Sequence, residues 1–196
     1  MPERFNIPIV LSRALSPEER AEFAFAVRDT YLPLFRAFKE ASVFSYETEE
    51  WENLPWPEGE ALLQDLEPEH ELLFLYGEWL GETADARSCV GIEESEAGSR
   101  LTLSFPLPTD TPAAQLEAHV LSARDLAARY ASAFVVAGGW ELECESEDGI
   151  SDFVRECFSK NTLCSWLAAP ALLLPKLPSH FVKVSEAERV VLVRRE

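Results

Sequence analysis

The sequence lacks every short signature that would assign a chemistry on sight. It contains no G-x-S-x-G, no H-E-x-x-H, no phosphate loop and no G-x-G-x-x-G. Histidine is scarce, and His70, His119 and His180 stand far apart. No two of the four cysteines, Cys89, Cys144, Cys157 and Cys164, have the C-x-x-C spacing of a metal finger or redox pair. No metal and no cofactor is therefore expected, and the cysteines read as buried thiols of a reducing compartment. The stretch Met1–Leu11 has no basic segment followed by a long apolar run, so it does not read as a signal peptide. The longest apolar stretch, Trp166–Leu174, contains Pro170 and falls far short of a membrane span. These absences point to the cytoplasm. Internal repeats, heptads, low-complexity segments and long linkers are also missing.

Positive charge is the other scarcity. Lys and Arg number 17 against 35 Asp and Glu, a formal net charge of −18 over 196 residues. Phosphates would be repelled, which argues against nucleic acid and anionic membrane as partners and permits a basic protein surface. Apolar residues make up 47% of the chain, too many for a disordered acidic tail. A chain of this length buries roughly two thirds of its unfolded surface, so one domain over 1–196 needs no staple.

Local patterns outline the elements. Residues 5–11 read as a strand weakened by Pro8. Ser16-Pro17-Glu18-Glu19 is a capping box with proline at the first helical position. Phe23, Ala24, Val27, Tyr31, Leu34, Phe35 and Phe38 then recur at helical spacing, predicting a helix over 17–40 that Pro33 kinks or splits near Tyr31. Residues 45–59 read as a loop and 61–66 as a helical turn. Residues 69–80 fit either a helix or a buried strand, and the aromatics and Gly77 favour the strand. Residues 88–94 and 100–107 form a hairpin pattern.

Thr111-Pro112 opens a second helix, to about 133, with Leu116, Val120, Ala123, Ala127, Tyr130 and Phe134 as its apolar stripe. Residues 134–147 read as a strand with a bulge at Gly138-Gly139. A short helix follows at 150–158, then an apolar, proline-broken, irregular arm at 163–178. A last hairpin turns about 185–188. The mixture without βαβ repetition predicts an α+β fold: a mostly antiparallel sheet with two main helices, 17–40 and 112–133, packed on one face.

Two constellations stand out. In Trp140–Asp148, a strand would place Glu141, Glu143, Glu145 and Glu147 on one face and Trp140, Leu142 and Cys144 on the other. That face is either a solvated outer surface or an acidic stripe that docks a basic one. A calcium loop would interleave its acids with Asn and Gly, which this run does not. The second constellation is the loop holding Trp51 and Trp56 among Glu49, Glu50 and Glu52. Tryptophan anchors flanked by acids suit protein recognition. The alternative is that both rings plug the edge of the core. His119, beside Leu116 and Val120, reads as a core-edge histidine.

The charge is unevenly spread. No Lys or Arg lies between Lys39 and Arg87, an interval with fourteen acids from Glu40 to Asp85. Residues 155–196 hold 4 acids and 7 bases, a tail suited to packing against the acidic body. Carried by the acidic stretch 40–85 and by Glu141–Asp148, the profile resembles bacterial toxin-immunity proteins, which are small, acidic, cytosolic and α+β. The resemblance implies a non-enzymatic protein that covers a toxin's active site, steered by its acidic face and anchored by Trp51 and Trp56. Two rivals remain: an enzyme of unknown type using a carboxylate pair, and a scaffold protein self-associating through Leu163–Leu177.

Overall fold

A computed structural model describes residues 3–31, 34–35, 37–56, 58–66, 71–79, 87–142, 149–159, 163–174, 176–187 and 190–196. Its strands are β1 (Arg4–Leu11), β2 (Phe38–Ser45), β3 (Glu50–Pro55), β4 (Glu71–Trp79), β5 (Arg87–Ser95), β6 (Gly98–Pro106), β7 (Phe134–Trp140), β8 (Trp166–Pro170), β9 (Phe181–Ala187) and β10 (Val190–Arg195). Its helices are α1 (Pro17–Thr30), α2 (Leu62–Asp65), α3 (Ala113–Tyr130) and α4 (Ile150–Cys157).

The ten strands pair antiparallel in one sheet, in the order β3-β2-β4-β5-β6-β1-β7-β8-β10-β9. The fold is α+β with a dominant antiparallel sheet. Strand alternation sends successive side chains to opposite faces. On one face Phe5, Ile7, Ile9 and Leu11 of β1 join Leu101, Leu103 and Phe105 of β6, Val90 and Ile92 of β5, and Leu73 and Leu75 of β4. Phe23, Ala24 and Val27 of α1 and Leu116, Val120, Ala123 and Ala127 of α3 close over them. On the opposite face Val10, Val135, Ala137, Leu167, Ala169, Val191 and Val193 pack under Phe153, Val154 and Cys157 of α4. α1 and α3 thus share one face, and the short α4 packs on the other.

The capping box forms as the sequence dictates. Glu19 N–H donates to Ser16 Oγ at 3.2 Å, and Ser16 N–H donates to Glu19 Oε2 at 2.9 Å. Arg13 clamps the same carboxylate with two bonds of 2.7 and 2.5 Å. That guanidinium, with the Ser16 amide, pulls the Glu19 pKa down to about 2. The helix does not run to 40. It ends at Thr30, where Tyr31 N–H donates to Val27 O. Phe38, expected on its buried stripe, is instead buried in β2. A proline three residues past the helix end cannot extend its hydrogen-bond ladder.

Three further expectations are corrected. The loop 45–59 contains the edge strand β3. The arm 163–178 contains β8, paired between β7 and β10, because a strand buried on both faces shows no alternation. The bulge at Gly138-Gly139 is absent, for β1 and β7 pair in one unshifted register. Those glycines serve close approach instead. A Cβ on Gly138 would come within 2.4 Å of Val120 Cγ2 on α3, and one on Gly139 within 2.2 Å of the Leu163 carbonyl. Among the described residues no helix is long and apolar enough to cross a membrane.

Candidate binding face

The face on which α4 packs over β7 and the Val10 end of β1 continues across β6, β5, β4, β2 and β3 without a helix on it, among the described residues. Its side chains follow from register. Trp51 lies opposite Phe44, Phe44 opposite Leu72, and Leu72 opposite Glu93, which lies opposite Arg100. In the neighbouring row Asn53, Ser42, Phe74, Gly91, Thr102 and Pro8 stand opposite one another in turn.

Five aromatic rings form a ladder on this surface. Ring centroids are 5.3 Å apart for Tyr46 and Phe44, 5.0 Å for Phe44 and Trp51, 5.9 Å for Trp51 and Phe74, and 6.2 Å for Phe74 and Tyr76. All four spacings fall in the range of favourable ring pairs. Trp51 is 53% exposed and Tyr46 45%, whereas Phe44, Phe74 and Tyr76 are half-buried. Gly91 lets Phe74 lie down: a Cβ there would sit 2.9 Å from Phe74 Cε1. At the far end Arg87 places its guanidinium carbon 4.6 Å from the Tyr76 centroid and donates to Glu40 Oε2 at 2.7 Å.

Beside the ladder runs a groove of about 240 Å³, lined by Asn6, Pro8, Leu72, Phe74, Gly91, Glu93, Arg100, Thr102 and Leu142. Glu93 accepts from Tyr46 Oη at 2.8 Å and, more loosely, from Arg100 at 3.3 Å. Asn6 ties the groove wall together, donating to the Leu142 carbonyl at 3.0 Å and accepting from Ser104 Oγ at 2.6 Å. The volume falls below the roughly 300–1,000 Å³ of ordinary small-molecule pockets and suits a single side chain.

The expected site residues separate. Trp51 is the middle ring of the ladder and its most exposed, with Glu49, Glu50 and Glu52 exposed beside it. Glu49 adopts a left-handed backbone (φ 56°) in the β2–β3 turn. Glu50 and Glu52 alternate away from the ring face and lie along the outer strand, where charge also blunts edge pairing. Trp56 lies apart from the ladder: its partly buried ring packs on Phe38 at 5.0 Å and Phe25 at 6.3 Å, against the helix-side core.

The strand expected through Glu141 is corrected. β7 stops at Trp140, Glu141 turns with φ 47°, and its Oε1 accepts a 2.7 Å bond from Arg4 N–H. No strand continues through 141–142, and Leu142 is buried. Glu143, Glu145 and Glu147 lie outside the described residues.

Other titratable groups sit away from this face. Glu94 is buried on the helix side, where desolvation raises its pKa despite bonds from Ser99 Oγ and Leu15 N–H. His119 lies against Tyr31 and Phe105 at the core edge, and burial lowers its pKa. Among the described residues no group of three or more His, Cys, Asp or Glu is placed to hold a metal. Cys89, Cys157 and Cys164 are buried.

Sequence reasoning missed the ladder, although its signal was present. Ser42, Phe44 and Tyr46, and Leu72, Phe74 and Tyr76, repeat at period two. Compared with protein-family models, curated proteins and solved structures, the chain matches none.

Proposed function

We propose that this chain is a non-enzymatic protein-binding module that docks a basic protein surface through the ring ladder. The observation that carries the reading is Trp51, half exposed in the middle of an aromatic ladder and set on an acidic edge strand. Exposed aromatic clusters supply anchoring, and the surrounding acids supply steering. α1 and α3, the two longest helices described, stiffen the sheet from behind. The specific form we favour is an immunity protein that neutralises a cognate bacterial toxin in the cytoplasm.

A carboxylate-pair enzyme finds less support. The groove is lined by one carboxylate, Glu93, and the raised Glu94 lies on the opposite face of the sheet. Self-association has one observation in its favour, the exposure of Leu163 (57%) and Leu172 (83%) in the C-terminal arm. Light scattering that finds only monomer at high concentration removes that reading.

The immunity reading is tested by expressing the genes that flank this one, each alone and with it. One product is expected to arrest growth, with growth restored by this protein but not by its Trp51→Ala variant. If no flanking product is toxic, the immunity role is rejected.

A further inference from the structure

We infer that the ladder and its groove select arginine, rather than lysine, from the basic partner. This inference rests on the docking reading above and adds the side chain that is recognised. The fold already contains the arrangement once. Arg87 lies over the Tyr76 ring while donating to the Glu40 carboxylate, so one ring of the ladder is capped by a guanidinium from the chain itself. Rings and a carboxylate come together again at Trp51, Phe74 and Glu93, on β3, β4 and β5, with no guanidinium over those rings among the described residues.

Glu93 has room to accept. A carboxylate offers about four lone-pair positions. The described contacts on Glu93 use two, one from Tyr46 and one long bond from Arg100. The groove beside it has an apolar floor of Pro8, Leu72, Phe74 and Leu142, which suits the three-methylene stem of an arginine. A planar guanidinium stacks on an aromatic face and presents a fork of donors to a carboxylate at the same time. A lysine ammonium, more strongly hydrated and without a plane, does one or the other. The acidic edge favours a cationic occupant: Glu47, Glu49, Glu50 and Glu52 are exposed near Trp51, and residues 40–86 contain no Lys or Arg. Arg100 does not oppose this strongly, because its side chain is 21% exposed and already faces Glu93.

The test uses two synthetic peptides, (Gly-Arg)4 and (Gly-Lys)4, titrated into the full chain at low salt and followed by tryptophan fluorescence and calorimetry. The arginine peptide is expected to bind about fivefold or more tighter. That preference is expected to vanish in Glu93→Gln and in Trp51→Ala, and to persist in Trp51→Phe, which keeps an aromatic face. Circular dichroism confirms that each variant is folded. Equal binding of both peptides overturns the arginine inference and leaves acidic docking standing. Binding of neither overturns the inference, and the growth-rescue experiment then decides the docking reading separately. A preference that survives Glu93→Gln and Trp51→Ala places recognition elsewhere and also overturns it.

Discussion

The Glu94 carboxylate, 1% exposed, accepts a 2.6 Å hydrogen bond from the Ser99 hydroxyl beside the turn of the β5–β6 hairpin. Its second oxygen, Oε1, has no hydrogen-bond partner among the described residues. Desolvation therefore raises its pKa above the usual 4.5, against the Ser99 and Leu15 bonds and the charge of Arg20. The folded chain holds this proton to higher pH than the unfolded chain. Its contribution to stability is full below pH 4.5 and is lost as pH rises through the raised value. Urea unfolding between pH 4.5 and 7.5 is expected to show stability falling with pH, and Glu94→Gln is expected to flatten that slope. An unchanged slope in the variant assigns the effect to other groups.

Glu19 works in the opposite direction. Its pKa is lowered to about 2, first by the Arg13 side chain and then by the Ser16 amide. Its contribution is present above pH 4.5 and is lost as pH falls toward 2. The pair is partly exposed, so the expected effect is small, under about 1 kcal/mol. Arg13→Ala is expected to reduce stability at pH 6 and to leave it nearly unchanged at pH 2, as read by chemical denaturation.

The two tryptophans are expected to part under mutation. Trp56→Ala removes a ring packed on Phe25 and Phe38 and is expected to cost about 2–4 kcal/mol, toward the low end because the ring is only partly buried. Trp51→Ala is expected to cost less than about 1 kcal/mol, since half of its surface is already in water. Thermal denaturation of the two variants checks both values, and a larger loss in Trp51→Ala contradicts its assignment to a binding face.

Gly139→Ala places a methyl 2.2 Å from the Leu163 carbonyl, a backbone atom held where the chain enters β8. Ser165 N–H donates to the Gly138 carbonyl at 2.8 Å and keeps that segment close. Overpacking of this kind costs about 1–3 kcal/mol. A Tm lower by on the order of 2–10 °C is expected for a chain of this size.

Association with a basic partner is expected to be steered by charge. Raising ionic strength from 0.02 to about 0.3 M shortens the screening length severalfold. The on-rate measured by stopped flow is expected to fall by about tenfold, while the off-rate changes little. An on-rate independent of salt removes steering from the account.

Much of the fold was legible where one physical signal dominates. Ser16 and Glu19 announce α1 because their side chains satisfy orphan amides, and Leu116 to Ala127 announce α3 because one helical stripe is buried. The hairpin at 88–107 shows alternation because Leu101 and Leu103 face the core while Arg100 and Thr102 do not. β3 was illegible because an edge strand of exposed residues has no buried face to impose a period. β8 was illegible for the reverse reason, since all five of its residues are buried. Trp51 and Trp56 could not be told apart by type or neighbours. What separates them is strand direction: Trp51 points to the uncovered face, and Trp56 lies past the end of β3, where the chain turns beneath α1. Whether a sheet face stays open depends on where α4 docks, which no local pattern encodes.

The position of β1 also governs the order in which the molecule can assemble. Its neighbours are β6 and β7, so Ile7 pairs with Leu103 and Asn6 with Gly139. On the ribosome β1 emerges long before either partner exists. Its alternating Phe5, Ile7, Ile9 and Leu11 must wait, unpaired and apolar, until β6 at Gly98–Pro106 has been made. Such distant pairings slow folding and expose the nascent chain to aggregation. The central strand of the sheet is thus made before either strand that secures it, and a chaperone that shields nascent chains is expected to raise the yield of native protein during synthesis.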